Sequence, residues 1–427
     1  MNCESFGSCG SCTLGEPYED QILYKKRLIS DKFREFFDGE FEFFASSPQN
    51  YRIRAEFGIW HDIWHSASDL AYTMGGSQSK KILINECPKV ALPIANLMPQ
   101  LLEALRRSEA LKERLFGVEF ISCASGILAT LLYHKRLGER EQGAICELAG
   151  KLGIRVMARA RGQKLLSGEL SLTDELCVDG RVYKFRFGEN AFIQPNRGVN
   201  EKMIAWARSC VDFGKDGASE RCSAQNFAAQ NSVEKNSIAG NSAAQNLAKK
   251  NSVAQNSSCE KHAVRPESSG ARDLLELYCG HGNFTIPLAA KFNRVLASEI
   301  SKSSIANARI NCELNGVCNA QFVRLSADEL MSAFARRREF ERLKGIDIFS
   351  YDFSHVLIDP PRAGLEPSVI DFIKNFQNLI YISCNPQTLF KNLRSLCTTH
   401  EVRRFAIFDQ FAHTAHIECG VLLRRRS

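Results

Sequence analysis

Leu274-Leu275-Glu276-Leu277-Tyr278-Cys279-Gly280-His281-Gly282-Asn283-Phe284 is the stretch on which the fold turns. An apolar run ends in two closely spaced glycines and passes into an apolar helical pattern, which predicts a buried strand, a tight turn and a helix over 284–291. Gly280 and Gly282 let the backbone approach a ligand closely. Beyond it, Arg294-Val295-Leu296-Ala297-Ser298 predicts the next strand. A helix then runs from a Ser301 cap to an Asn315-Gly316 stop, with a strand over 321–325 after it. Val356-Leu357-Ile358 and Leu379-Ile380-Tyr381-Ile382 read as further short buried strands. Such alternation predicts an α/β, doubly wound, Rossmann-like domain with a mainly parallel sheet.

Upstream the pattern changes. In Tyr51-Arg52-Ile53-Arg54-Ala55-Glu56-Phe57-Gly58-Ile59-Trp60 the apolar residues alternate with Arg, Arg, Glu, Gly and Trp, a strand with one core face and one basic, aromatic-tipped face. Strands over 118–122 and 127–133 bracket Ala124-Ser125-Gly126 and end at His134-Lys135. This half reads as α+β on antiparallel strands. Between the halves, residues 216–270 turn to Asn, Ser, Ala, Gln and Lys with near-repeats of Ala-Gln-Asn. Such a composition offers too little apolar surface to offset ordering entropy, which predicts a flexible insertion. The expected organisation is an arm over 1–44, an α+β domain over 45–185, and an α/β domain over 186–427 interrupted by the insertion.

The 427 residues carry 55 Lys+Arg against 48 Asp+Glu, a mild basic excess that suits a phosphate-bearing partner without requiring one. No basic-then-apolar leader opens the chain, and the most apolar stretch is interrupted by Pro93, Asn96, Pro99 and Gln100. A cytoplasmic protein without membrane contact is expected, and nothing in the sequence signals an obligate protein partner. In that compartment the 16 cysteines read as thiols, metal ligands or nucleophiles rather than a disulfide framework.

Several motifs carry chemistry. Position 285 is Thr, so the third glycine of a dinucleotide fingerprint is missing, while Glu299 ends the following strand and is placed to accept from ribose hydroxyls. An adenosine without pyrophosphate fits better than NAD; a plain strand–helix turn is the bland alternative. Asp359-Pro360-Pro361-Arg362 holds an aspartate at the sheet's ligand-binding edge, or merely caps a turn. In Ser383-Cys384-Asn385-Pro386-Gln387, Asn385 can cap and Pro386 suits the first helical position, so the helix dipole is expected to favour a Cys384 thiolate. A final strand is expected over 413–423, with His416, Glu418 and Gly420 on one face.

Together with Phe192-Ile193-Gln194-Pro195-Asn196, these motifs resemble the S-adenosylmethionine-dependent RNA uracil-5-methyltransferases over most of the chain outside the insertion. Arg54-Ala55-Glu56-Phe57-Gly58-Ile59-Trp60-His61 and Phe408-Asp409-Gln410-Phe411 are similar to its tRNA branch, which forms ribothymidine in the T-loop (position 54). The resemblance implies a class I methyltransferase domain, S-adenosyl-L-methionine as cofactor and the tRNA T-arm as partner. It implies Cys384 as the nucleophile adding to uracil C6 and Glu418 as the base removing the C5 proton. It also places Gln194, Tyr278, Asn283, Glu299 and Asp359 at the cofactor, with Asp328 a weaker candidate near the adenine. Arg52, Arg54, Trp60, His134 and Lys135 form a candidate RNA platform, or a solvated strand face. Cys3, Cys9, Cys12 and Cys87 resemble the four-cysteine hook that holds a structural [4Fe-4S] cluster in the ribosomal-RNA branch; zinc on four thiolates or free thiols are the alternatives. Ribosomal-RNA uracil methylation and an RNA-folding chaperone acting by binding alone are the rival functions.

Overall fold

The computed structural model describes residues 3–62, 69–76, 81–212 and 272–426; the expected insertion over 216–270 lies outside the described residues. One sheet has eight strands in the order Phe41–Phe44, His400–Phe408, Glu418–Arg425, Asn378–Ser383, Phe353–Ile358, Asp273–Leu277, Arg294–Ser298 and Ala320–Val323. Neighbours run parallel except at Glu418–Arg425, which is antiparallel to both its partners. Helices cover both faces, which is why Leu274-Leu275 and Val356-Leu357-Ile358 read as continuous apolar runs.

Strand Phe41–Phe44 belongs to the arm, yet it pairs with Phe405 to Phe408 and forms an edge of this sheet. The arm's helix Tyr18–Phe33 packs Ile29 and Phe33 into the same core. On the opposite face, helix Arg197–Asp212 packs Met203 and Trp206 against Leu274, Ile380 and Phe408.

The second sheet has seven strands, in the order Lys81–Ile84, Asp69–Gly75, Arg54–Asp62, Leu115–Cys123, Gly126–Tyr133, Arg155–Ala160 and Gln163–Leu166. It is antiparallel except where helix Glu139–Leu152 crosses from Gly126–Tyr133 to the parallel Arg155–Ala160. Phe57, Tyr72 and Phe120 centre its core. Asp174 fastens this sheet to the other unit, accepting both from the Ala124 amide at 3.0 Å and from the Arg197 guanidinium at 2.6 and 3.0 Å.

Three local expectations are revised. The strand expected from Tyr51 starts at Arg54, because the Arg52 amide donates to the Lys89 carbonyl and its carbonyl accepts from Ala91. The helix expected over 284–291 is a short α-turn, Thr285–Leu288, followed by a tighter 3-10 turn, Ala289–Lys291. The last strand begins at Glu418 rather than His413: His413 has a φ of 63° and is buried, its amide bonded to Gln21 and its ring to Gln21 and the Pro48 carbonyl. His416 consequently lies exposed and outside the strand, and shares no strand face with Glu418.

Candidate active site

Four parallel strands end at one edge of the eight-stranded sheet, and the next residue of each is a candidate: Tyr278, Glu299, Asp359 and Cys384. Leu277 pairs with both Ile358 and Ser298, so the first three lie side by side. Ser383 faces Cys419 across the antiparallel pair, and the next position outward sets Cys384 against Glu418. Topology alone therefore brings together a thiol and two carboxyl groups 25 to 59 residues apart in the chain.

Electrostatics here run toward neutrality. Burial, with a smaller push from Asp359, raises the Glu418 carboxyl to about 8, against a lowering by Arg362. Burial likewise raises Asp359 to about 7. The Cys384 thiol is also raised, first by burial and then by Glu418 and Asp359, with Arg362 opposing. This corrects the expectation of a helix-favoured thiolate. Asn385 caps helix Pro386–Leu396, accepting from the Gln387 amide at 3.0 Å, and Cys384 sits one residue outside that cap among acidic neighbours. Arg362, whose role the sequence did not expose, acts on both Cys384 and Glu418. Its carbonyl accepts from Asn385 Nδ2 at 3.1 Å, tying the Asp-Pro-Pro-Arg turn to the cysteine turn.

The glycine turn forms the neighbouring cradle. Tyr278, Gly280 and Gly282 all have positive φ, at 63°, 56° and 92°, which folds the backbone back beneath the strand ends. Glu299 is held by both oxygens, accepting from the Gly280 amide at 3.1 Å and the Ser301 amide at 2.8 Å; each oxygen retains a further lone pair. Asn283 exchanges hydrogen bonds with Asn200 of helix Arg197–Asp212 at 2.9 and 3.0 Å. Gln194 joins Asn200, His281 and Asn283 in lining one cavity. Burial lowers His281 to about 4, so this imidazole is neutral at pH 7. Asp328 is exposed, accepts from Ser368 at 2.7 Å, and its charge adds to the burial that lifts Tyr278 to about 12.

The expected RNA platform does not form one basic face. Lys135 is committed to Glu113 and Glu141 at 3.0 and 2.9 Å, Arg54 donates to the Ala191 carbonyl, and Arg52 lies over the Phe411 ring. Trp60 and His134 are exposed, and His134 stacks on Phe116 with ring centroids 3.9 Å apart. Phe116 and the 72% exposed Phe192 are aromatic surfaces that sequence patterning did not single out.

Cys3, Cys9, Cys12 and Cys87 line a single cavity with Glu86 and Lys89. Among the described residues no group of three or more His, Cys, Asp or Glu is arranged to hold a metal ion. What is visible is attachment: Lys89 Nζ donates to Ser11 Oγ at 2.7 Å, and the Thr13 and Leu14 amides donate to the His413 carbonyl.

No helix among the described residues is long and apolar enough to cross a membrane. A tRNA (uracil-5-)-methyltransferase family model matches residues 17–266 and 252–426. Proteins named tRNA/tmRNA (uracil-C(5))-methyltransferase are similar: that of Campylobacter concisus is 54% identical over all of both chains, and that of Campylobacter curvus 52%. A solved Pyrococcus abyssi tRNA (uracil-54, C5)-methyltransferase, in complex with S-adenosyl-L-homocysteine, shares the fold at TM-score 0.65 and 17% identity, over 97% of this chain and 86% of that one. With family model and full-length relatives in agreement, the chain belongs to the tRNA (uracil-5-)-methyltransferase family.

Proposed function

We propose that this enzyme methylates C5 of the T-loop uridine (position 54) of tRNA, with S-adenosyl-L-methionine as methyl donor and Cys384 and Glu418 as the catalytic pair. The observation that carries the reading is the strand register that sets Cys384 opposite Glu418 beside Asp359. The names of the full-length relatives support a tRNA substrate. The glycine turn, Glu299, Asn283 and Gln194 fit an adenosine with an amino-acid tail: close backbone for the nucleoside, a tethered carboxylate for the ribose hydroxyls, and amides for the tail.

When bound, S-adenosylmethionine supplies an electrophilic methyl group on sulfur. Uracil C5 is a poor nucleophile, so Cys384 Sγ first adds to C6 and the displaced electron pair makes C5 nucleophilic. Arg362 favours the thiolate against the burial and acidic neighbours that raise it. After C5 has gained its methyl group, Glu418 in its carboxylate form removes the C5 proton. The C5–C6 double bond re-forms, the C6–S bond breaks, and Cys384 leaves as thiolate. The base must be unstacked to reach this edge; the exposed Phe192 and the Phe116–His134 stack are surfaces suited to splayed nucleotides.

The four-cysteine cavity completes the proposal: thiols from the arm and from Cys87 hold a structural [4Fe-4S] cluster. Support comes from the donor set, four thiols about one cavity, since four thiolates are the usual ligands of such a cluster. No catalytic step passes through it.

Purified tRNA incubated with methyl-labelled cofactor tests the central claim. Cys384→Ala is expected to abolish both methyl transfer and the covalent adduct with 5-fluorouracil-containing tRNA. An adduct retained by this variant overturns the assignment.

A further inference from the structure

Gln410 is completely buried, and its Oε1 is one of the few buried polar atoms without a partner among the described residues. Its Nε2 donates to Gln194 Oε1 at 3.3 Å and lies 3.0 Å from the Met203 sulfur. The backbone beneath it is held from several sides. Asn196 Nδ2 donates to the Gln410 carbonyl at 3.3 Å, and the preceding Asp409 is gripped by Lys25 and Tyr18, each at 2.7 Å. The Met203 sulfur favours the nitrogen on its side, since turned over the amide would set its oxygen against a thioether acceptor.

This orientation is transmitted. With its oxygen accepting from Gln410, Gln194 has its Nε2 left as a donor, and the residue lines one cavity with Asn200, His281 and Asn283. Among the described residues Gln194 Nε2 donates to no side chain or backbone carbonyl, and a free amide N–H suits a carboxylate oxygen. The tethered Glu299 lies on the other flank of the glycine turn, beyond Gly280, where the ribose belongs. The cavity on the Asn283 flank is left for the amino-acid end.

We propose that Gln410 is a positioning residue: it sets the polarity of Gln194, so that Gln194 offers donors to the carboxylate of the cofactor's amino-acid end. This rests on the cofactor placement proposed above and adds a residue that itself touches no reacting atom.

The test compares calorimetric binding of S-adenosylhomocysteine with that of its decarboxylated analogue, 5′-S-(3-aminopropyl)-5′-thioadenosine. The wild-type enzyme is expected to prefer the carboxylate-bearing ligand by about tenfold, as a charge-assisted hydrogen bond predicts. Gln410→Met, close in volume, is expected to lose most of that preference while its affinity for the analogue changes less than about twofold. Gln194→Met should lose the same preference, and the double variant no more than either single one. Gln410→Asn, whose shorter amide falls short of Gln194, carries the same comparison should the methionine variant not fold. Equal weakening toward both ligands, or an unchanged preference, overturns the inference. Failure of the wild-type enzyme to bind S-adenosylhomocysteine would instead overturn the cofactor placement.

Discussion

Replacing Lys25 by Met is expected to destabilise the protein by about 3–4 kcal/mol. The Lys25 ammonium and Asp409 carboxylate are 2.7 Å apart and both side chains are fully buried. Burial pulls Lys25 below the ordinary lysine range although Asp409 pulls the other way, so desolvation weighs heavily at this pair. Methionine keeps the aliphatic stem and removes the charge, leaving Asp409 with the Tyr18 hydroxyl as its remaining side-chain donor. Stranding one member of a buried pair costs about 3–5 kcal/mol. Equilibrium urea denaturation should therefore give a loss of about 3–4 kcal/mol at pH 7. Adding Asp409→Asn should restore most of it, since a neutral replacement of a buried pair is often neutral or stabilising. A loss below about 1 kcal/mol at pH 7, or no recovery on adding Asp409→Asn, would refute the reasoning.

Other expectations follow from the site. Glu418→Gln should add to the base and transfer the methyl group yet stall before release, leaving a protein–RNA species on a denaturing gel; rapid turnover by this variant removes Glu418 from the base role. Because Glu418 is raised to about 8, only about one site in ten carries the carboxylate at pH 7. The single-turnover release rate should climb with pH toward a plateau above 8; a profile flat from pH 6 to 9 contradicts this. Anaerobically purified protein should contain about four irons per chain and absorb broadly near ~400 nm. Colourless, iron-free protein with full activity would eliminate the cluster.

The α/β unit was legible because its strands are buried on both faces and their ends are marked by Gly280, Pro360 and Pro386, which also flagged the thiol and carboxyl groups beside them. What escaped was anything whose partner lies far along the chain. Phe41–Phe44 is an ordinary apolar run until Phe405 to Phe408 is set beside it. Gln410 and Arg362 carry no periodicity, and their meaning depends on Gln194, Cys384 and Glu418. The expected strand at His413 was overridden by Gln21 and Pro48, which take the histidine into a turn. Lys135 reads as basic surface until Glu113 and Glu141 are found beside it. The Cys384 expectation is revised for another reason: burial beside Glu418 and Asp359 raises the thiol by more than Arg362 lowers it.

The place of strand Glu418–Arg425 bears on how the protein is made. It lies between His400–Phe408 and Asn378–Ser383, inside the sheet rather than at its rim, and it begins with the proposed base. During synthesis those residues leave the ribosome after every other strand of that sheet, while Phe41–Phe44 has long since emerged and waits for Phe405 to Phe408. The seven-stranded unit can be complete on the nascent chain, since all its strands lie before residue 167. The catalytic unit cannot, so an unfinished polypeptide holds a folded first unit and no assembled thiol–carboxylate pair.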